Sequence, residues 1–181
     1  MSRDHNIYRI PYVGLKEGLH TFDFKITEKF FETVDIEEVE KADIAVDIEF
    51  NKKSSHFELK FNIQGYLLTA CDRCLEQYPQ ELLDEYKIFV KLTDQENEES
   101  EDPDVVFINR QETHLDLKQL IYEFIELSIP LQRVCPNPGK TKYCNPDMLK
   151  YINKYEDKSY DEQNKENDID PRWSALKKIK K

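Results

Sequence analysis

Strict alternation between apolar and polar residues in two neighbouring stretches constrains the fold of this chain most strongly. An alternation with a period of two places one set of side chains on one face of a β-strand. The two stretches are separated only by the polar turn Asn51–Ser54, which predicts an antiparallel hairpin. Apolar residues occupy every second position of residues 42–50 and 57–63, namely Ala42, Ile44, Val46, Ile48, Phe50, Phe57, Leu59, Phe61 and Ile63.

Three further segments carry the same strand pattern. Residues 19–26 place Phe22, Phe24 and Ile26 on one face, and residues 82–92 do the same with Tyr86, Ile88, Val90 and Leu92. Residues 105–108 form a short apolar stretch that predicts a last strand. Long strands with one polar side favour an antiparallel sheet with one covered face.

A helix is predicted over residues 116–128, and it supplies that cover. Asp116 is positioned to cap the first turn, and Pro130 ends the helix. We therefore predict an α+β fold, in which a curved antiparallel sheet of about five strands packs on one main helix. The apolar stripe of the helix consists of Leu117, Leu120, Ile121, Phe124, Ile125 and Ser128.

Composition divides the chain further. Residues 1–135 are predicted to be a single α+β domain, interrupted by an acidic loop at 94–104. A loop rich in cysteine and proline with a short helix follows at 136–155, and the signal for that helix is Asn145-Pro146. Residues 156–170 are an acidic linker, and 171–181 are a short basic tail helix.

The net charge of the chain predicts the kind of partner that it binds, and its first residues predict its location in the cell. Acidic residues outnumber basic ones by 37 to 26, giving a net charge of -11. Phosphate backbones repel such a chain, so basic proteins are the favoured partners. The first residues contain no apolar signal core, and no apolar run reaches the ~18 residues of a membrane span. We therefore expect a cytoplasmic protein with reduced thiols and no contact with membranes.

Four cysteines are the candidate metal ligands. Cys71 and Cys74 form a C-x-x-C motif, whose spacing lets two thiolates bind one tetrahedral zinc ion. Cys135 and Cys144 form a wider pair around a loop that contains prolines. Together the pairs fit one structural zinc site, the only cofactor that the sequence suggests. Reduced thiols buried in loops, or redox use of Cys71 and Cys74, are the alternatives.

Catalytic motifs are missing. The sequence contains no G-x-S-x-G elbow, no phosphate-binding glycine loop and no dinucleotide fingerprint. None of its four histidines has the spacing of a metal-hydrolase motif. We therefore predict a protein without enzymatic activity, without catalytic residues and without a small-molecule substrate.

The basic tail is the candidate contact for a partner. Trp173 lies among Arg172, Lys177 and Lys178, and a tryptophan in such a helix is a typical binding hot spot. The basic residues also suit contact with RNA phosphates. The alternatives are that the tail docks on the acidic body of its own chain, or that it is solvated.

Three motifs in order give the chain a resemblance to a known family. The segments TACDRCLEQYPQEL, D-L-x-Q-L-I-Y-E-x-I-x-L-S-I-P and D-P-R-W start at Thr69, Asp116 and Asp170. In this order they resemble the YceD family of large-ribosomal-subunit RNA accumulation proteins. The segments GLKEGLHTFDFKI and CNPDMLKYINKY are similar to its branch in Bacteroidetes-type bacteria.

This resemblance implies a function in ribosome biogenesis. It implies that the protein supports the accumulation or processing of large-subunit ribosomal RNA, by binding a ribosomal protein, an assembly factor or the RNA. One departure concerns the cysteines, because many family members carry a compact cysteine-rich knuckle where this chain has Cys135 and Cys144. A redox or zinc-handling protein that uses Cys71 and Cys74 is the alternative function.

Overall fold

The computed structural model describes residues 7–32, 34, 39–95, 100–136 and 144–156. Its core is a five-stranded sheet with the strand order β2-β3-β4-β5-β6, and β1 and β7 form a separate two-stranded ladder. The elements in chain order are β1 (Arg9–Ile10), β2 (Gly18–Thr27), α1 (Glu28–Glu32), β3 (Ala42–Lys52), β4 (His56–Ala70), β5 (Gln77–Thr93), β6 (Val105–Asn109), β7 (Leu115–Asp116), α2 (Lys118–Ser128) and α3 (Pro146–Glu156).

The sheet is mixed, which corrects the prediction of an antiparallel one. β2, β3, β4 and β5 pair antiparallel in sequence order, as the hairpin pattern predicts. β6 instead pairs parallel with β5, with Val105 opposite Phe89. A five-residue strand carries a face pattern but no signal for its direction, so the sequence did not reveal this orientation.

Alternate residues of the sheet form the core. All five predicted apolar positions of β3 are buried, and Phe57, Leu59, Phe61 and Ile63 of β4 are buried beside them. The register places Leu59 opposite Ile88 and Phe61 opposite Tyr86. Burial of these side chains removes apolar surface from water, which is the main stabilising term of the fold.

The helix α2 covers this buried face as predicted. The Phe124 ring stacks on Tyr86, with centroids 4.6 Å apart, and meets Phe61 edge-on at 4.9 Å. The helix begins two residues later than predicted, because Asp116 belongs to β7. The Asp116 carboxylate still accepts a hydrogen bond from the Lys118 N–H at 3.0 Å. The helix ends at Ser128, since Ile129 before Pro130 is extended.

Two further helices, α1 and α3, accompany α2 in the described residues, and α3 is the short helix predicted after Asn145. α1 buries Phe30 and Phe31 against the core. α3 begins as predicted, because the Asn145 side-chain oxygen accepts hydrogen bonds from the backbone N–H groups of its first turn. Within the described ranges, no helix is long and apolar enough to cross a membrane.

Gly65 allows β3 and β4 to approach closely. A Cβ atom at this position would lie 2.2 Å from the Asp43 carbonyl oxygen and 2.6 Å from the Ile44 Cα. Both atoms belong to the backbone of β3, so neither can move aside as a side chain would. Strand pairing at this point therefore requires glycine.

We expect Gly65→Ala to lower the free energy of unfolding by about 3 kcal/mol, because the added methyl group forces the two strands apart. Gly14→Ala is the matched control, since no atom lies within 4 Å of its Cβ position. That control should change stability by less than about 0.5 kcal/mol. Urea denaturation followed by circular dichroism measures both, and equal stabilities of the two variants would contradict the packing argument.

Candidate metal centre

The two cysteine pairs meet at one end of the sheet. Cys71 and Cys74 lie in the turn that joins β4 to β5, and Cys135 lies in the segment after α2. The three side chains are 0 to 1% exposed. Their sulfur atoms all lie within 4.8 Å of one another. The fold therefore brings together cysteines that are more than sixty positions apart in the chain.

Cys144 lies beside these three residues. It is half-buried, and it packs against the cluster together with Val134 and Met148. Its sulfur lies outside the 4.8 Å group formed by the other three. We call Cys71, Cys74, Cys135 and Cys144 the cysteine cluster. All four are free thiols in this structure.

Asp72 and Arg133 hold the two cysteine-bearing segments together. The Asp72 N–H donates to the Arg133 carbonyl oxygen at 2.7 Å, and the Arg133 N–H donates back to the Asp72 carboxylate at 2.7 Å. The guanidinium of Arg133 adds a contact of 3.3 Å with the same carboxylate. This reciprocal pairing fixes Cys135 next to the C-x-x-C turn, two residues after Arg133.

The turn that carries Cys71 and Cys74 closes with a left-handed residue. Leu75 has a φ of 61°, a conformation that costs a residue with a Cβ about 1–2 kcal/mol. Its N–H donates to the Cys71 carbonyl at 2.9 Å, and the Cys71 N–H donates to the Glu76 carbonyl at 3.0 Å. The Asn145 amide also donates to the Glu76 carboxylate at 3.0 Å, which connects the start of α3 to this turn.

Their surroundings shift the pKa values of the Cys71 and Cys135 thiols in opposite directions. Burial acts to raise the pKa of Cys71, but hydrogen bonds from the backbone N–H groups of Cys135, Cys74 and Arg73 outweigh it and lower the pKa to about 7. Burial raises the pKa of Cys135 to about 12, and the thiols of Cys71, Cys144 and Cys74 add to that rise. Cys71 therefore ionises more readily than Cys135, and its negative charge opposes ionisation of Cys135.

This arrangement supports two kinds of chemistry. Clustered thiolates are the preferred donors for zinc and other soft or borderline cations. The sulfurs of Cys74 and Cys135 lie 3.8 Å apart, so oxidation of the cluster could join two of its cysteines in a disulfide. At this distance they are not bonded, because a disulfide needs about 2.05 Å.

The other predicted site residues are not placed by the structure. Arg172, Trp173, Lys177 and Lys178 lie outside the described residues, as do residues 96–99 of the acidic loop. Within that loop Glu101 is described, and it is exposed. The contact that we predicted for the tail therefore stays a prediction.

Sequence reasoning missed three residues around the cluster. No sequence motif predicts the pairing of Arg133 with Asp72 or the left-handed conformation of Leu75, because both depend on the tertiary structure. The third is Arg73, whose Nε and Nη2 atoms are buried without a hydrogen-bond partner among the described residues. Its position inside the C-x-x-C motif was the available signal.

Fold and site together define a small α+β protein with a cysteine cluster at the end of its sheet. The family described as "Large ribosomal RNA subunit accumulation protein YceD" matches residues 59–180, a range that contains all four cysteines, and the chain belongs to that family. It is also 28% identical over 166 residues to the uncharacterized protein YlbN of Bacillus subtilis (strain 168), covering 84% of this chain and 88% of YlbN. No solved structure gives a significant match.

The left-handed conformation at Leu75 predicts an unusual gain in stability. Leu75 is 67% exposed, so removing its side chain loses little buried surface. We expect Leu75→Gly to be about 1 kcal/mol more stable than Leu75→Ala, because alanine keeps the Cβ that crowds this conformation. Urea denaturation of both variants checks this, and a less stable glycine variant would show that the turn is not strained.

Proposed function

We propose that this protein is a non-enzymatic accessory factor in the cytoplasm that supports the accumulation of large-subunit ribosomal RNA. The observation that carries the proposal is the match to the YceD family, whose description names that RNA and no reaction. The matched range covers most of the chain, from β4 through residue 180. We propose further that the protein binds a basic ribosomal protein directly, because its own net charge is -11.

The histidines support a function without catalysis. Among the described residues, no histidine nitrogen joins the sulfurs of Cys71, Cys74 and Cys135 in their 4.8 Å group, so none lies there to activate a thiol as a nucleophile. The described histidines are hydrogen-bonded with groups near them in sequence instead. These pairs are His20 with the Lys16 carbonyl oxygen, His56 with the Ser55 hydroxyl and His114 with the Thr113 hydroxyl.

One group of side chains has the residue types of a catalytic triad, and its contacts favour a structural role. Ser55 bonds to His56 at 2.9 Å, and His56 lies 3.5 Å from the Glu58 carboxylate. All three residues come from one hairpin turn, between β3 and β4. Lys53 and Asn51 also donate to the Glu58 carboxylate, at 2.5 and 3.2 Å. These bonds tie the two strands together where the hairpin turns.

The outer face of the sheet offers a surface for a basic partner. Its side chains alternate with the core residues, and Asp23, Asp47 and Glu49 are among its exposed acidic residues. Asp23 lies directly opposite Asp47 on the neighbouring strand, and neither has an ion-pair partner in the described part of the chain. Like charges in that position destabilise a sheet. A cationic partner bound to this face would neutralise both carboxylates and relieve the repulsion between them.

Redox use of the cysteines is the alternative, and one observation favours it. The pKa of Cys71 is lowered to about 7, which increases the fraction of nucleophilic thiolate. The position of the residue opposes it, because Cys71 is 0% exposed and an external disulfide cannot reach a buried sulfur. We therefore give the cluster a structural role.

The double variant Asp23→Asn with Asp47→Asn tests the charged surface. We expect it to raise the free energy of unfolding by about 0.5 kcal/mol, because it removes a cross-strand repulsion. We also expect it to lower recovery of large-subunit ribosomal proteins about three- to tenfold in an affinity pull-down from native lysate. Mass spectrometry identifies the recovered proteins, and RNase treatment separates contacts with protein from contacts through RNA.

Glu32→Gln with Glu112→Gln is the matched control, since it removes two exposed acidic charges away from this face. It should leave recovery unchanged. Equal losses in both variants would mean that only net charge matters. Recovery that RNase abolishes would identify RNA as the primary contact, and absence of ribosomal material at low and moderate salt would overturn the proposed function.

A further inference from the structure

We propose that Cys71, Cys74, Cys135 and Cys144 bind one zinc ion, which fastens the start of α3 to the end of the sheet. The proposal rests on the cysteine cluster and does not depend on the proposed function. Each thiol would lose its proton on binding, so that four thiolates form the coordination shell.

The distances between sulfur atoms fit a tetrahedral site. A zinc–sulfur bond is about 2.3 Å long, so two ligands at a tetrahedral angle lie about 3.8 Å apart. The sulfurs of Cys74 and Cys135 are 3.8 Å apart. Cys71 completes a triangle in which all three separations stay within 4.8 Å. Three corners of the tetrahedron are therefore already assembled by the protein alone.

Backbone N–H groups point at the sulfurs, as they do around bound thiolates. The Cys135 N–H donates to the Cys71 sulfur at 3.4 Å. The backbone groups of Cys74 and Arg73 also act on this thiol and favour its ionised form. Hydrogen bonds of this kind orient a ligand and stabilise its negative charge, and they accompany the ligands of most metal sites.

Cys144 is the fourth ligand. It already packs against the other three, and Asn145 next to it is held by the Glu76 carboxylate at the C-x-x-C turn. The ion would draw its sulfur into the last corner. Four protein ligands leave no position for water or substrate, which makes the site structural and not catalytic.

A zinc ion at this site would attach α3 more firmly to the rest of the protein. Contacts between this helix and the rest of the protein include the Met148 side chain at the cluster and the Asn145 hydrogen bond. A zinc–thiolate bond at Cys144 adds a far stronger connection directly before the helix. Removal of the ion should therefore release α3 while the sheet stays folded.

Metal analysis of the full chain, purified in reducing buffer without chelator, tests the proposal first. We expect about one zinc per chain, and a Cys135→Ser variant with less than about a fifth of that amount. Met148→Leu is the matched control, because it changes a neighbour of the cluster while it keeps four thiols. This control should retain zinc.

Cobalt substitution keeps the test decisive if the serine variant does not fold. Co²⁺ added to the wild-type chain should give the intense visible bands of a tetrahedral thiolate site, and zinc should displace them. Hydrogen exchange with and without chelator then follows the helix, and protection of residues 146–156 should fall by about tenfold while β3 and β4 stay protected.

Three results would overturn the zinc site. The first is a chain free of metal with four reduced thiols that also fails to bind Co²⁺. The second is bound iron in place of zinc, since a tetrathiolate set also suits iron and iron–sulfur clusters. The third is a Cys74–Cys135 disulfide as the stable form, which mass spectrometry detects as a loss of two hydrogens and which would favour the redox alternative.

Discussion

Burial of one face of β3, β4 and β5 against α2 is the constraint on which the rest of this structure depends. Phe61 and Tyr86 lie opposite each other on neighbouring strands, and Phe124 of the helix packs against both rings. A shift of one residue in this register would turn the apolar side chains to water. The register also fixes the turn between β4 and β5, so it decides where Cys71 and Cys74 lie.

The sequence predicts the parts of the fold in which a residue pattern repeats. β3, with its five alternating apolar residues, and the apolar stripe of α2 are both confirmed. The two-residue strands β1 and β7 are too short for any period and were missed. The first part of β5 was missed as well, because Pro79 interrupts its pattern. At the site, spacing revealed the four cysteines, whereas the Asp72–Arg133 pairing depends on tertiary structure that no local pattern encodes.

The two proposals concern different parts of the same sheet. Its outer face presents uncompensated acidic residues such as Asp23 and Asp47, which suit a basic partner. The end at the β4–β5 turn gathers the cysteines, and a metal there would organise the segment that leads to α3. The family match covers both the cluster and residues up to 180. A metal that fastens α3 to the sheet would thus act within the range that the family model matches.

Sedimentation of a native lysate through a sucrose gradient tests the central claim, that the protein acts on the large ribosomal subunit, most directly. The account predicts that the chain, detected by immunoblot, migrates at low salt with free large subunits or their precursors. It also predicts that the chain returns to the top of the gradient when salt screens its acidic surface. A chain that stays at the top with free proteins at every salt concentration would contradict the account.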